Sequence, residues 1–290
     1  MNSKIKLTIS IVNWNTKDEL ENCLNSILNQ KCNFEFDIIV VDNASTDGSV
    51  EMLLDCFSDK IKLIKNNQNL GFGKAHNQSI NQSESEFILL LNPDCYLISE
   101  DVLQKIINYI DSDSGIGILG PKIINPNGSL QYSARRFPIM LAGIFRHTIF
   151  GKLFPNNRYV KEYLMTDWKH DEVREVDWLS GAAMLLRKDM LDKIGYLDER
   201  FFMYCEDIDI CKRAHLFGWK VVYNPRVELE HRIGAASDKN PIAMIKQHHK
   251  SMLRYFLKYN SKSIKVLLTP FVIIALYLRQ KSLINRVKTN

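Results

Sequence analysis

Residues 37–48 read D-I-I-V-V-D-N-A-S-T-D-G. The near-continuous apolar run Asp37 to Val41 has no alternation, the pattern of a short strand buried on both faces. The strand ends at a carboxylate, Asp42, and the polar residues after it suit the N-terminus of a helix. A strand covered on both sides that feeds a helix is the unit of a parallel α/β sheet.

The same alternation extends in both directions. Upstream, Thr8 to Trp14 is β-branched and apolar, and Asp18 to Gln30 places Leu20, Cys23, Leu24, Ile27 and Leu28 at helical spacing. Downstream come a short strand at Ile61 to Ile64, a helix at Lys74 to Ser83, and a central strand, Phe87 to Leu91, stopped by Asn92-Pro93 because proline cannot donate to a ladder. The expected fold class is therefore α/β, with a mostly parallel central sheet flanked by helices. In such sheets the ligand crevice lies beyond the strand C-termini. The polar clusters Asn13 to Asn15, Asp42 to Asp47 and Asn92 to Asp94 all follow strand ends and should converge there.

Residues 121–128 read as a strand and turn, and the aromatic and basic stretch after Pro138 resists assignment. Regular pattern resumes with a strand at Gly181 to Arg187, a helix at Lys188 to Ile194, and a helix at Asp207 to Phe217 closed by Gly218. Two strands, Lys220 to Tyr223 and Val227 to Glu230, then lead to His231.

At 290 residues, 46% hydrophobic and 24% charged, the chain has ordinary globular composition and length for a sizeable core. Its net charge of +5 hides an asymmetry. No acidic residue follows Asp238, so residues 1–238 carry 27 basic against 33 acidic groups, while residues 239–290 carry 11 basic groups. We therefore expect an acidic body over 1–238 and a basic helical tail over 239–290, with no nucleic-acid partner. In the tail, Ile245, His248, Met252, Tyr255 and Tyr259 form one stripe and Lys246, Lys250, Arg254 and Lys258 another, on opposite faces of a helix. Val266 to Leu278 is apolar for 13 residues, short of the roughly 20 that span a bilayer. An amphipathic anchor on an anionic membrane surface fits, and packing on the body or a second subunit is the competing reading. Oligomeric state is left open. The six scattered cysteines read as reduced thiols, and no signal-peptide pattern opens the chain, so the expected location is the cytoplasm, at the inner face of the plasma membrane.

Familiar phosphate motifs are missing. Gly71-Phe-Gly73 lacks the third glycine of a dinucleotide loop, and no P-loop, zinc-protease or serine-hydrolase signature occurs. The carboxylates stand out instead: Asp42 and Asp94 at strand ends, and Glu206-Asp207 opening a helix after F-F-M-Y. Any one alone would read as a turn or cap residue.

Taken in order, S-I-V-N-W-N (10–15), V-V-D-N-A-S-T-D-G-S (40–49), N-L-G-F-G-K-A-H-N (69–77), L-L-L-N-P-D (89–94), W-L-S-G-A-A-M-L-L-R (178–187), G-Y-L-D-E-R-F-F-M-Y-C-E-D-I-D (195–209) and E-L-E-H (228–231) resemble family 2 glycosyltransferases. That family has the nucleotide-diphospho-sugar transferase (GT-A) fold, and the resemblance is to its rhamnosyltransferase-like branch. It implies that Asp42 takes the pyrimidine base of the donor, with Asn13 and Asn15 in the same pocket and Asn69, Gly71 and Lys74 in a loop beside the nucleotide. It makes Asn92 and Asp94 the counterparts of a metal-binding D-x-D pair, with Asn92 in place of the first aspartate. Asp94 and His231 would then hold Mg²⁺ or Mn²⁺. Asp207 becomes the general base and Glu206 its tuning or acceptor-positioning neighbour, whereas Asp209 and Arg213 read as a structural i, i+4 pair. The loop Trp178 to Gly181 is a candidate acceptor wall, and Arg135 or Arg136 a candidate phosphate contact.

The expected activity is inverting transfer of a sugar, with rhamnose favoured, from a dTDP- or UDP-linked donor to a saccharide or lipid-linked saccharide of the cell surface. A nucleotidyltransferase would show a glycine-rich loop near the N-terminus, and S-I-V-N-W-N is not one. The competing class is a non-catalytic nucleotide- or saccharide-binding relative that has lost its metal site at Asn92. Against it stands the retention of Asp94, Glu206, Asp207 and His231 together.

Overall fold

The computed structural model describes residues 5–138, 153, 157–232, 234 and 239–289. The first half alternates as expected: β1 (Leu7–Asn13), α1 (Lys17–Leu28), β2 (Phe36–Asp42), α2 (Ser49–Phe57), β3 (Lys62–Lys65), α3 (Phe72–Gln82), β4 (Phe87–Leu91), β5 (Cys95–Leu97), α4 (Val102–Asp111) and β6 (Ile116–Ile124). The second half carries β7 (Leu130–Gln131), β8 (Ala134–Arg135), α5 (Arg158–Leu164), β9 (Arg174–Glu175), β10 (Trp178–Leu179) and β11 (Ala183–Arg187). After these come α6 (Lys188–Ile194), α7 (Glu206–Leu216), β12 (Lys220–His231), α8 (Pro241–Asn260), a 3₁₀ turn (Ile264–Leu268) and α9 (Thr269–Thr289).

The main sheet runs β3-β2-β1-β4-β11-β6-β12-β5. Strands β3, β2, β1 and β4 pair in parallel, as do β6 and β12, while β11 and the edge strand β5 run against their neighbours. The continuous apolar strands are covered on both faces. In β4, Phe87, Leu89 and Leu91 join one core with α1 and α4, and Ile88 and Leu90 join a second core with α6 and α7. The unbroken F-I-L-L-L run follows from this double burial.

Two sequence readings change. The strands expected at 220–223 and 227–230 are one twelve-residue strand, β12, whose register against β6 shifts between Asn224 and Glu228. Pro225 sits in that irregularity, where a missing N–H costs no ladder bond. The tail also differs. Helix α8 does not lie free: Met252 and Tyr255 pack against the second core, and Arg254 and Lys258 of its basic stripe bond to the body, leaving Lys246 and Lys250 exposed. Helix α9 extends well past the apolar run, and the stretch Ile264–Lys288, whose most apolar window has mean hydropathy 1.4, is long and apolar enough to cross a membrane by length and composition. Only 6% of its apolar window is buried. The expected boundary at Asp238 lies outside the described residues, as does most of the unassigned stretch after Pro138. All six cysteines are free thiols.

Candidate active site

Strand register gathers the polar clusters on one edge. Asn13 pairs with Asp42 and Ile11 with Leu91, so β1, β2 and β4 end together. Because β11 runs the opposite way, its approach, Gly181–Ala182, reaches the same edge, where the Asn92 amide donates to the Ala182 carbonyl at 2.9 Å.

At the β1–β2 ends, Asn13 Nδ2 donates to Asp42 Oδ1 at 2.8 Å and the Ser45 amide donates to Asp42 Oδ2 at 2.9 Å. Asp42 is buried with both oxygens engaged, and a carboxylate keeps lone pairs for a third donor. Asn15 adopts a left-handed conformation, and its Oδ1 accepts the Thr46 amide at 2.7 Å, tying the two loops together. Asn69 Oδ1 accepts the Gly71 amide at 2.9 Å. Gly71 has φ of 85°, and a Cβ there would lie 2.2 Å from the Phe202 carbonyl oxygen, the atom that accepts the Phe72 amide at 2.7 Å. Only glycine fits this close approach. Lys74 is exposed, with its ammonium 4.0 Å from Glu199. Buried Asn43, which the motif reading passed over, accepts Asn66 Nδ2 at 2.9 Å and donates to the Gly71 carbonyl at 3.4 Å, joining the two donor-side loops.

Asp94 and His231 meet across β5 and β12. His231 Nε2 stands 3.2 Å from Asp94 Oδ1, which has no hydrogen-bond donor although it is buried. Gln131 explains the arrangement. Its Nε2 donates to the His231 carbonyl at 2.6 Å and to Asn125 Oδ1 at 2.8 Å, which turns its Oε1 toward His231 Nδ1 at 2.9 Å. Nδ1 therefore carries a proton, and Nε2, the lone-pair atom of a neutral ring, faces a carboxylate oxygen. Two buried acceptors facing one another are stable only with a cation or proton between them, so the pair fits a hard divalent ion. The Cys95 sulfur lies with them, all three ligand atoms within 4.8 Å of one another. Burial pushes the Cys95 thiol up, and Sγ donates to the Ala182 carbonyl at 3.2 Å, so it remains a thiol. The Asn92 side chain makes no hydrogen bond among the described residues.

Glu206 and Asp207 open α7 from two consecutive left-handed residues, Tyr204 (φ 69°) and Cys205 (φ 70°). Each costs on the order of 1–3 kcal/mol and persists only where surrounding contacts fix it. Burial raises the Glu206 carboxyl well above its ordinary range, neighbouring Asp207 raises it further, and its Oε2 is unpartnered. Burial also raises Asp207. The amides of Ile208 at 2.8 Å and Gly181 at 3.2 Å, and the charge of Arg135, pull it back. Glu206 is thus the more strongly raised carboxyl of the pair, and Asp207 the one whose charge the surrounding amides and Arg135 support. Gly181 and Ala182, adjacent in sequence, join the two halves: Gly181 binds Asp207, and Ala182 binds Cys95 and Asn92.

The Trp178 to Gly181 segment is not an acceptor wall along its length. Trp178 and Leu179 are buried, and Trp178 Nε1 donates to the Arg136 carbonyl at 2.8 Å, leaving Ser180 and Gly181 at the site. Arg136 is paired with Asp177 at 3.1 Å, whereas Arg135 lies over the Trp178 ring at 5.0 Å with its charge acting on Asp207. Asp209 and Arg213 form the expected pair at 2.9 Å. Gln131 carries no motif signal, and strand pairing brings it to His231; Asn43 lies within the 40–49 motif, but only the fold shows which loops it joins.

Residues 8–195 match the protein-family model Glycosyl transferase family 2, a match that stops before Glu206, Asp207 and His231. The chain is 30% identical over 225 residues to N-acetylglucosaminyl-diphospho-decaprenol L-rhamnosyltransferase of Mycobacterium tuberculosis, covering 74% of this chain and 72% of that protein. It is 28% identical over 196 residues to rhamnosyltransferase WbbL of Escherichia coli K12, covering 65% and 70%. Among solved structures, mannosyltransferase PcManGT from Pyrobaculum calidifontis in complex with GDP-Man and Mn²⁺ superposes with a TM-score of 0.58 at 14% identity, over 96% of this chain and 74% of that one. S. aureus TarS 1–349 in complex with UDP gives 0.54 at 20% identity, over 86% and 66%. At those identities the likeness is one of fold.

Proposed function

The chain belongs to glycosyl transferase family 2 and has the GT-A fold, and from that premise we propose that it is an inverting glycosyltransferase of cell-surface polysaccharide synthesis. The donor is a pyrimidine nucleoside-diphosphate sugar, dTDP- or UDP-linked with rhamnose favoured, and the acceptor a hydroxyl of a saccharide or lipid-linked saccharide. Two relatives named as rhamnosyltransferases, one acting on a diphospho-decaprenol saccharide, support that choice.

One observation carries the reading: Asp207, held by two backbone amides, stands beside a Glu206 whose buried Oε2 has no donor, and Gly181–Ala182 ties them to the Asn92–Cys95 segment that carries Asp94, opposite His231. Asp207 accepts the acceptor's hydroxyl proton as that oxygen bonds to the anomeric carbon. The bond from that carbon to the phosphate oxygen breaks, its electron pair leaves on the nucleoside diphosphate, and a single displacement inverts the centre. Glu206, uncharged, positions the acceptor and keeps the adjacent proton transfer on Asp207. Asp42, Asn13, Asn15 and the Asn69–Lys74 loop hold the nucleotide, with Asn92 near its phosphates. Mg²⁺ or Mn²⁺ between Asp94 and His231 would neutralise the charge gathering on the leaving diphosphate. Arg135 supplies a second positive charge beside the reacting centre.

The tail supports a place at an anionic, inner-leaflet membrane surface. Ile264 and Phe271 are 82% and 69% exposed, and Leu267, Ile274 and Leu278 continue that apolar strip along α9. Exposed Lys262, Lys265, Lys281 and Lys288 flank it, without an acidic residue in the segment. Cations filling the second half of α9 favour an interfacial over a spanning orientation.

The decisive test pairs a thermal-shift panel of dTDP, UDP, GDP and ADP, with and without Mn²⁺, with transfer assays on Asp207→Asn. We expect metal-dependent stabilisation by dTDP or UDP, and loss of turnover by at least about a thousandfold in a folded Asp207→Asn that still binds nucleotide. A preference for GDP or ADP would remove Asp42 from its role. Nucleotide binding without turnover on any acceptor would favour the non-catalytic binder.

A further inference from the structure

The left-handed turn Tyr204–Cys205 is held from outside its own segment. Helix α8, which begins 36 residues downstream of Cys205, packs along the turn and the first part of α7. Ser251, fully buried, donates from Oγ to the Met203 carbonyl at 2.7 Å. The His248 ring meets Tyr204 edge-on at 5.2 Å. Two turns further along, Lys258 reaches two carboxylates: Asp198 at 2.7 Å, and Asp209, two residues beyond Asp207. Tyr259 OH adds a bond to Asp209 Oδ1 at 2.7 Å.

These contacts differ from surface ion pairs. Asp209 is fully buried, its Oδ1 taking Lys258 and Tyr259 and its Oδ2 taking Arg213 at 2.9 Å. Removing one donor from so enclosed a carboxylate leaves charge uncompensated inside the protein, which costs far more than an exposed pair. Burial pushes Asp198 up, yet hydrogen bonds from Arg200 and Lys258 hold its carboxyl well below its ordinary range.

We propose that α8 is the positioning element of the reaction: Ser251, through the Met203 carbonyl, and Lys258, through Asp209, fix the strained turn that aims Asp207. The tail thereby serves catalysis as well as location. The inference rests on Asp207 being the base, and its test separates the two.

The test uses the full chain carrying Lys258→Met, Ser251→Ala or Lys258→Arg, followed by hydrogen exchange and by kinetics. In Lys258→Met, amides 204–209 should exchange at least tenfold faster while those of β1 and β4 stay protected. Its kcat should fall at least tenfold with donor KM within twofold, and the pH limb of kcat should move. Lys258→Arg should restore most of the rate, and Ser251→Ala should give a smaller effect of the same kind, which keeps the test in hand should Lys258→Met not fold. Unchanged exchange at 204–209, or wild-type kcat and pH profile in a folded Lys258→Met, would overturn the positioning role. Full turnover in Asp207→Asn would instead sink the base assignment, and the exchange measurement would still read the clamp.

Discussion

Glu206 has one oxygen buried without a donor, whereas Asp207 takes two backbone amides and faces Arg135, and that difference divides their work. It also has a stability signature. The folded-state pKa of Glu206 is raised, so its contribution is fully present below the ordinary carboxylate pKa and is lost as pH rises through the folded value. Glu206→Gln keeps the shape and removes the charge. Its Tm should match wild type near pH 4 and exceed it increasingly toward pH 8, each 1 kcal/mol of relief amounting to about 2–4 °C. A Tm difference that stays flat with pH would show that Glu206 is not a strained acid. These residues were legible as E-D in the sequence, but their unequal environments were not, because burial and the Gly181 amide come from a strand far away in the chain.

At the scale of elements, the donor-side loop and the α7 approach lean on each other at Gly71. Of the two glycines in G-F-G, only the first sits at positive φ against a backbone carbonyl; a Cβ on Gly73 would meet the Leu197 Cβ at 3.4 Å. Gly71→Ala should therefore cost at least about 2 kcal/mol in chemical denaturation and weaken nucleotide binding, with Gly73→Ala much milder. Equal effects would mean that the Phe202 approach is not what demands glycine. The βα units from Thr8 to Leu91 were readable because apolar period and breakers are local signals. The joined strand β12 was not, since a shift of register at Pro225 looks like two strands until the partner β6 is known.

At the scale of the whole molecule, the charge asymmetry resolves into two uses. Arg254 and Lys258 neutralise the body, and the cations around α9 stay at the surface beside its apolar strip. The full chain should co-sediment with phosphatidylglycerol vesicles and far less with phosphatidylcholine ones, more weakly at high salt, and Phe271→Glu with Ile274→Glu should lower binding at least tenfold. Equal partition onto both lipids, or no effect of the double substitution, would argue that another protein covers the strip. The sequence by itself determined the α/β class, the largely parallel sheet of its first half and the family, and it singled out Asp42, Asp94, Glu206, Asp207 and His231 as candidates, because hydrophobic period and motif order are written along the chain. Only the tertiary structure decided that Gln131 orients His231, that Trp178 is core, and that the first tail helix grips α7 while the second leaves an apolar strip exposed. Those outcomes depend on which distant side chains share a buried space, and desolvation and packing act there between elements that no local pattern relates.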